Sequence, residues 1–233
     1  MPRTKPILFS GPMNRALLDG RKTQTRRVLK PQPPDGLRFV GIYGPDAVFE
    51  PLSRGDDYTV RLPYMPGDLL WVRETWSGDY WLKDAPPSER PQICAQVAHV
   101  PKIPRTWYWA DGSPTHGDWE RPRPSIHMPR WASRLTLEVT AVRVQRLQEI
   151  SIEDARAEGV ATEEWDDWRE NVTSIAIPEG SYIENERDLF RDLWDSINAK
   201  RGYGWDTNPW VCAISFIVHQ MNIDEFLAQR EAA

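Results

Sequence analysis

Residues 134–144 read "RLTLEVTAVRV", and their periodicity decides what kind of fold the chain builds. Leu135, Leu137, Val139 and Ala141 alternate with polar residues, as in a strand with one buried face. The apolar phase then moves to Val142 and Val144. One extra residue in a strand is what a β-bulge supplies, and bulges bend strands at the corners of small barrels.

Flanking segments set this bent strand among further strands and helices. "ILF" at residues 7–9 reads as a short strand, and "PMNRALLDG" as a helix opened by Pro12 and stopped by Gly20. "LRFVGIY" and "YTVRL" are candidate edge strands, while in "PGDLLWVRETW" a turn at Pro66, Gly67 and Asp68 feeds an apolar strand. "ISIEDARAEGV" predicts a helix with Ser151 as N-cap and Gly159 just past its end. Residues 186–200 predict the strongest helix, its apolar stripe made by Leu189, Phe190, Leu193, Trp194 and Ile197. "WVCAISFIVH", at residues 210–219, is almost continuously apolar and fits the middle of a sheet. The expected fold is α+β, a small mixed β-barrel decorated with helices.

Residues 77–130 differ in composition, holding nine of the 21 prolines and four of the 12 tryptophans. Their apolar residues are scattered, with weak strand signals at "ICAQVAHV" and "TWYWA". They read as a long Pro/Trp-rich insertion with limited regular structure inside a single domain spanning residues 1–233.

Charge is unevenly distributed. The chain carries a net −5, yet residues 1–30 hold eight Lys or Arg against Asp19 alone, a formal +7 that leaves −12 for the rest. An acidic body argues against a broad duplex-binding surface, whereas a local basic mouth suits a small anion or one flipped nucleotide. No apolar run nears the ~20 residues needed to span a bilayer, and the N-terminal apolar segment is too short for a signal peptide. With Cys94 and Cys212 as the two cysteines, a disulfide framework is not expected, and the expected location is the cytoplasm.

The basic residues concentrate in "GRKTQTRR", residues 20–27. This stretch resembles the Gly-x-Lys-x-x-Thr-x-Arg signature of the ASCH domain family, relatives of the PUA fold, with Gly20, Lys22, Thr25 and Arg27 at its four positions. "PGDLLWVRETW", "IHMPRWASRLTLEV", "ISIEDARAEG" and "LWDSINAKRGYGWDTNPWV" are similar to blocks of the longer ASCH proteins found in phages and prophages. The resemblance implies a PUA-like barrel with a cleft at its mouth and a role with RNA or modified bases. Some small members are amidohydrolases that deacetylate acetylcytidine, and their catalytic lysine, threonine and glutamate fall on Lys22, Thr25 and Glu158.

Physical chemistry makes that set reasonable. A threonine hydroxyl needs a base, and a lysine becomes one when burial and neighbouring cations lower its pKa. Arg21, Arg26 and Arg27 supply cations, and a carboxylate would orient the amine. Glu158 lies in the last turn of its helix, against the helix dipole, and a broken local rule hints at function. In an extended strand, however, Lys22 and Thr25 point to opposite faces, so their convergence needs a turn that Gly20 could provide.

Further candidates lie elsewhere. Glu74 is a second carboxylate candidate, alternatively a strand-end ion pair with Arg73 or Arg27. Trp71, Trp194 and Trp210 fit a core; Trp76, Trp107 and Trp109 lie in loops and could stack on a base. Cys94, His99, His116 and His127 match no familiar zinc spacing, so no metal and no cofactor is expected. Three functions remain open: recognition of nucleic acid or a modified nucleoside with Gly20, Arg21, Arg26, Arg27, Glu74 and Trp76 as binding residues; deacylation of an acylated cytidine-like substrate; or a phage interaction protein masking a host factor through the Trp-rich segment.

Overall fold

The computed structural model describes residues 3–160 and 186–232, and the chain packs as two compact units. One comprises residues 1–19, 68–138 and 218–233; the other comprises 20–67 and 139–217.

In the first unit, β1 (Thr4–Leu8) runs parallel to β6 (Leu69–Arg73), from Thr4 opposite Leu69 to Leu8 opposite Arg73. The other edge of β6 pairs antiparallel with the start of β9 (Thr136–Arg146), where Leu70 faces Leu137. Leu69 and Trp71 of β6 pack on Ile223 and Phe226 of the C-terminal helix α5 (Ile223–Ala232). The helix α1 (Gly11–Leu18) carries a proline in its first turn, where a missing N–H costs nothing.

Residues 77–130 hold more regular structure than their composition suggests. β7 (Trp76–Gly78) pairs antiparallel with β8 (Thr106–Tyr108), and α2 (Arg90–Gln96) replaces the strand expected at "ICAQVAHV". Pro91 in the first turn of α2 explains the difference, because it starts a helix as readily as it interrupts a strand. The segment is pinned by a fully buried Arg90, whose guanidinium pairs with both oxygens of Glu120 while Arg123 donates to Glu120 at 2.7 Å. Trp76 is 0 % exposed, packed with Met128 and Ala132 and edge-on to Trp131 at 5.9 Å. The expectation that Trp76 stacks on a ligand is therefore corrected: its ring belongs to a core that the scattered sequence did not reveal.

In the second unit, β10 (Trp210–His219) lies between β9 and β2 (Gln24–Val28). An interior position is what its unbroken apolar sequence predicts. The buried positions of β9 are Thr136, Leu137 and Val139 and then Val144; the apolar phase does shift, but Ala141, expected on the buried face, is exposed. A separate meander is formed by β3 (Leu37–Tyr43), β4 (Asp46–Pro51) and β5 (Tyr58–Arg61), with β3 and β5 at its edges. Phe39 and Phe49 of this meander close on Trp210, the latter at 5.0 Å edge-on.

Two helices complete the unit. α3 (Ile152–Ala157) is capped by Ser151, whose hydroxyl accepts from the Asp154 amide at 3.1 Å. α4 (Glu186–Asn198) buries Leu189, Phe190, Leu193 and Trp194, while Ile197, expected on the same stripe, is 37 % exposed. Gly202, at φ +82°, ends the turn that follows α4. The fold is mixed α+β, and none of its sheets closes into a barrel among the described residues. Cys94 of α2 and Cys212 of β10 are both buried; burial raises both thiols, that of Cys212 to about 12.

Breaking the Arg90–Glu120 pair takes the buried cation from Glu120, leaving the carboxylate to the half-buried Arg123 and the Gly78 amide. Arg90→Met should lower unfolding free energy by about 3–5 kcal/mol, measured by urea denaturation. A loss under about 1 kcal/mol would mean that the charge finds water without unfolding the segment.

Candidate functional site

The basic run opens the second unit. Gly20 sits at φ +74° with nothing within 4 Å of a built Cβ, so the left-handed backbone itself, and not crowding, requires glycine. The next three residues zip onto the end of α3. Arg21 Nη1 donates to the Gly159 carbonyl at 3.1 Å, Lys22 forms an antiparallel bridge with Glu158, and the Thr23 amide donates to the Ala157 carbonyl at 2.9 Å. The chain then enters β2, where Thr25, Arg26 and Arg27 lie opposite Ile214, Ala213 and Cys212 of β10.

This docking buries charge. Lys22 is 0 % exposed, and its Nζ donates to both the Oε2 and the backbone carbonyl of Glu158, each at 2.8 Å. Arg26 Nη1 donates to Glu158 Oε1 at 3.1 Å and to Gln24 Oε1 at 2.6 Å, while Nη2 donates to Asp154 Oδ2 at 2.6 Å. Gln24 Nε2 donates to Asp154 Oδ1 at 3.2 Å, and Arg143 Nη2 reaches both Asp154 oxygens at 2.8 and 2.9 Å. Arg26 also lies over the Phe190 ring, 5.8 Å from its centroid.

Strand periodicity explains which residues meet. Gln24 and Arg26 are two apart and project from one face of β2 toward α3, so Thr25, buried between them, projects from the other, which Arg27 shares. Lys22 and Glu158 of the expected Lys/Thr/Glu set are joined directly, and Thr25 lies on the strand face opposite their partner Arg26. Arg21 and Arg27 are half-buried, the members of "GRKTQTRR" among the basic residues that retain solvent contact.

Burial dominates the electrostatics. It pushes the Lys22 amine below its ordinary 10.5, against the pull of Glu158 and reinforced by the charges of Arg27 and Arg26. Arg27 is likewise held below the usual guanidinium range by burial, opposed by Tyr64 and Glu158 and reinforced by Arg201. Burial would raise the Asp154 carboxyl, but the Arg143 hydrogen bond and the Arg26 charge outweigh it and hold the group below its usual value.

Asp154, Gln24 and Arg143 were not among the expected site residues. Spacing carries the missing signal: Asp154 and Glu158 are i,i+4 on one helical face, and Lys22, Gln24 and Arg26 follow the strand period of two. Asp154 reads in sequence as a first-turn cap residue, which hides its second role.

Glu74 and Trp76 belong to the first unit. Glu74 is buried and pairs through both oxygens with Arg134, at 2.9 and 3.0 Å, rather than with Arg73 or Arg27. Burial raises its carboxyl against that contact. Arg134 also grips Asp111 and lies 4.0 Å from the Tyr108 ring centroid, which explains the pairing: Arg134 is a single cation shared by two carboxylates.

A lysine whose folded pKa is depressed binds fewer protons than in the unfolded chain, so its contribution to stability rises with pH toward the unfolded value near 10.4. Wild type should therefore gain stability relative to Lys22→Met as pH increases through the alkaline range below that value. Urea midpoints of both proteins against pH measure this; parallel curves would show an amine titrating normally. Comparison of the chain with family models, with curated proteins and with solved structures finds no match.

Proposed function

We propose that the second unit recognises nucleic acid or a modified nucleoside, with RNA or a modified base as the favoured ligand, through the cluster built on Lys22, Arg26, Arg27 and Glu158. The supporting observation is the Lys22–Glu158 pair itself, a fully buried amine on a buried carboxylate at the motif position. Buried ion pairs contribute little net stability over an apolar replacement, and perturbed ionisable groups cluster at functional sites, so this pair supports a site beside its structural role. Arg27 acts on both Lys22 and Glu158 and keeps solvent contact, so an anion approaching the cluster meets a cation at its edge. Half-buried Arg21 and Arg27 make the ligand contact; Lys22 and Arg26 hold the frame. Membership of the ASCH family, its PUA-like fold and a cytoplasmic location belong to the same proposal. No helix among the described residues is long and apolar enough to cross a membrane.

A second reading, deacylation of an N-acylated cytidine, is favoured by one feature: the Lys22 amine is lowered by burial while hydrogen-bonded to a carboxylate, as a general base would be. The placement of Thr25 weighs against a threonine nucleophile activated by that lysine. Incubation with a panel of acylated nucleosides, followed by mass, separates the readings. Turnover that disappears in Lys22→Ala would establish the enzyme.

For the binding reading, affinity for single nucleotides and short oligonucleotides is measured at several salt concentrations. A site for one or two phosphates gives a log–log slope of about −0.7 to −1.4. Arg27→Ala should weaken binding by about 1–3 kcal/mol, roughly 5- to 150-fold, without unfolding the protein. A slope several times steeper, or normal binding by the mutant, would leave the run as a buried structural ion-pair cluster with no ligand contact at Arg27.

A further inference from the structure

Charges in the second unit form an alternating row. Arg143 meets Asp154, Asp154 meets Arg26, Arg26 meets Glu158 and Glu158 meets Lys22, each through a contact between 2.6 and 3.1 Å. The row runs from solvent to interior: the Arg143 side chain is 50 % exposed, Asp154 17 %, Glu158 3 %, and Arg26 and Lys22 are sealed. Gln24 braces it, accepting from Arg26 and donating to Asp154.

Each carboxylate is divided between two cations. Asp154 holds Nη2 of Arg26 more closely, at 2.6 Å, than Glu158 holds Nη1, at 3.1 Å. Glu158 is thereby left free to place its other oxygen on Lys22. We propose that Asp154 and Arg143 are positioning residues for the Lys22–Glu158 pair, so that charge at the solvent end of the row decides how the buried amine is held. The inference rests on the reading of Lys22 as a site residue and extends that site to the surface of β9.

The signs follow from alternation. Removing the anion Asp154 leaves Arg26 to act on Glu158 alone and takes negative charge away from Lys22, so the amine releases its proton more easily. Removing the cation Arg143 concentrates Asp154 on Arg26, relaxes the hold of Arg26 on Glu158, and leaves the amine holding its proton more tightly. Arg27, which acts on Lys22 directly, and Tyr64 and Arg201, which act on Arg27, are the same in both variants. A merely structural role predicts something different. Loosening α3 would admit water and raise the Lys22 midpoint in either variant.

The test is the pH titration of the Lys22 Nζ by nitrogen NMR in the full-length protein, its resonance assigned by loss in Lys22→Met. Asp154→Asn should lower the midpoint and Arg143→Gln should raise it, each by about half a unit or more. Arg143→Lys should restore the wild-type value. Unchanged midpoints, or an upward shift in both variants, would overturn the proposal. Should Asp154→Asn fail to fold, the half-exposed Arg143 pair decides alone: an unmoved midpoint in Arg143→Gln sinks the relay, as does a Lys replacement that shifts as far as Gln. The titration needs no ligand, so it fails independently of the binding reading. Opposed shifts in a protein that binds no nucleotide would retain the relay and remove the nucleotide.

Discussion

The ion pair between Lys22 and Glu158 governs the second unit. An ammonium cannot leave water without a carboxylate within hydrogen-bond distance and further acceptors for its remaining protons. Lys22 meets this demand twice on one residue, using both the side chain and the backbone carbonyl of Glu158. That double contact fixes the end of α3 against the start of β2, and the bonds at Arg21 and Thr23 follow because the backbones are already aligned. Glu158 stands where the α3 dipole is least favourable to it, and the cations around it supply the compensation.

The first unit meets the same demand with other residues. Arg90 is as deeply buried as Lys22, and Glu120 is divided between Arg90 and Arg123 much as Glu158 is divided between Lys22 and Arg26. A segment too poor in aliphatic residues to build a large core is held instead by a buried guanidinium lying over the Trp76 ring, 5.8 Å from its centroid. Such an arrangement is invisible to hydrophobic periodicity, which is why residues 77–130 read as irregular.

Periodicity served well where burial alone shapes an element. β10 is legible because its apolar run is buried without a break from Trp210 to Ile214, the phase shift in β9 because burial moves from Val139 to Val144, and α3 because the Ser151 cap and the glycine after it mark the helix limits. Within the site, Lys22 and Glu158 were legible only through a motif, since nothing local connects residues 136 positions apart. Asp154 was missed because it already had a satisfactory local reading in the first turn of α3, and Gln24 because a neutral amide within a basic run carries no signal of its own. Glu74 shows the converse: its ion pair was anticipated, but its partner was chosen from neighbours in sequence, whereas Arg134 arrives on β9's approach from 60 positions away.

Each unit carries one thiol in its interior, Cys94 in the first and Cys212 in the second. Neither is ionised near neutrality while folded, so alkylating reagents must wait for the surrounding structure to open. The two cysteines thus serve as separate natural clocks. Peptide-resolved alkylation reads the lifetime of each unit within one unmodified chain, and reveals whether the units open together or in turn.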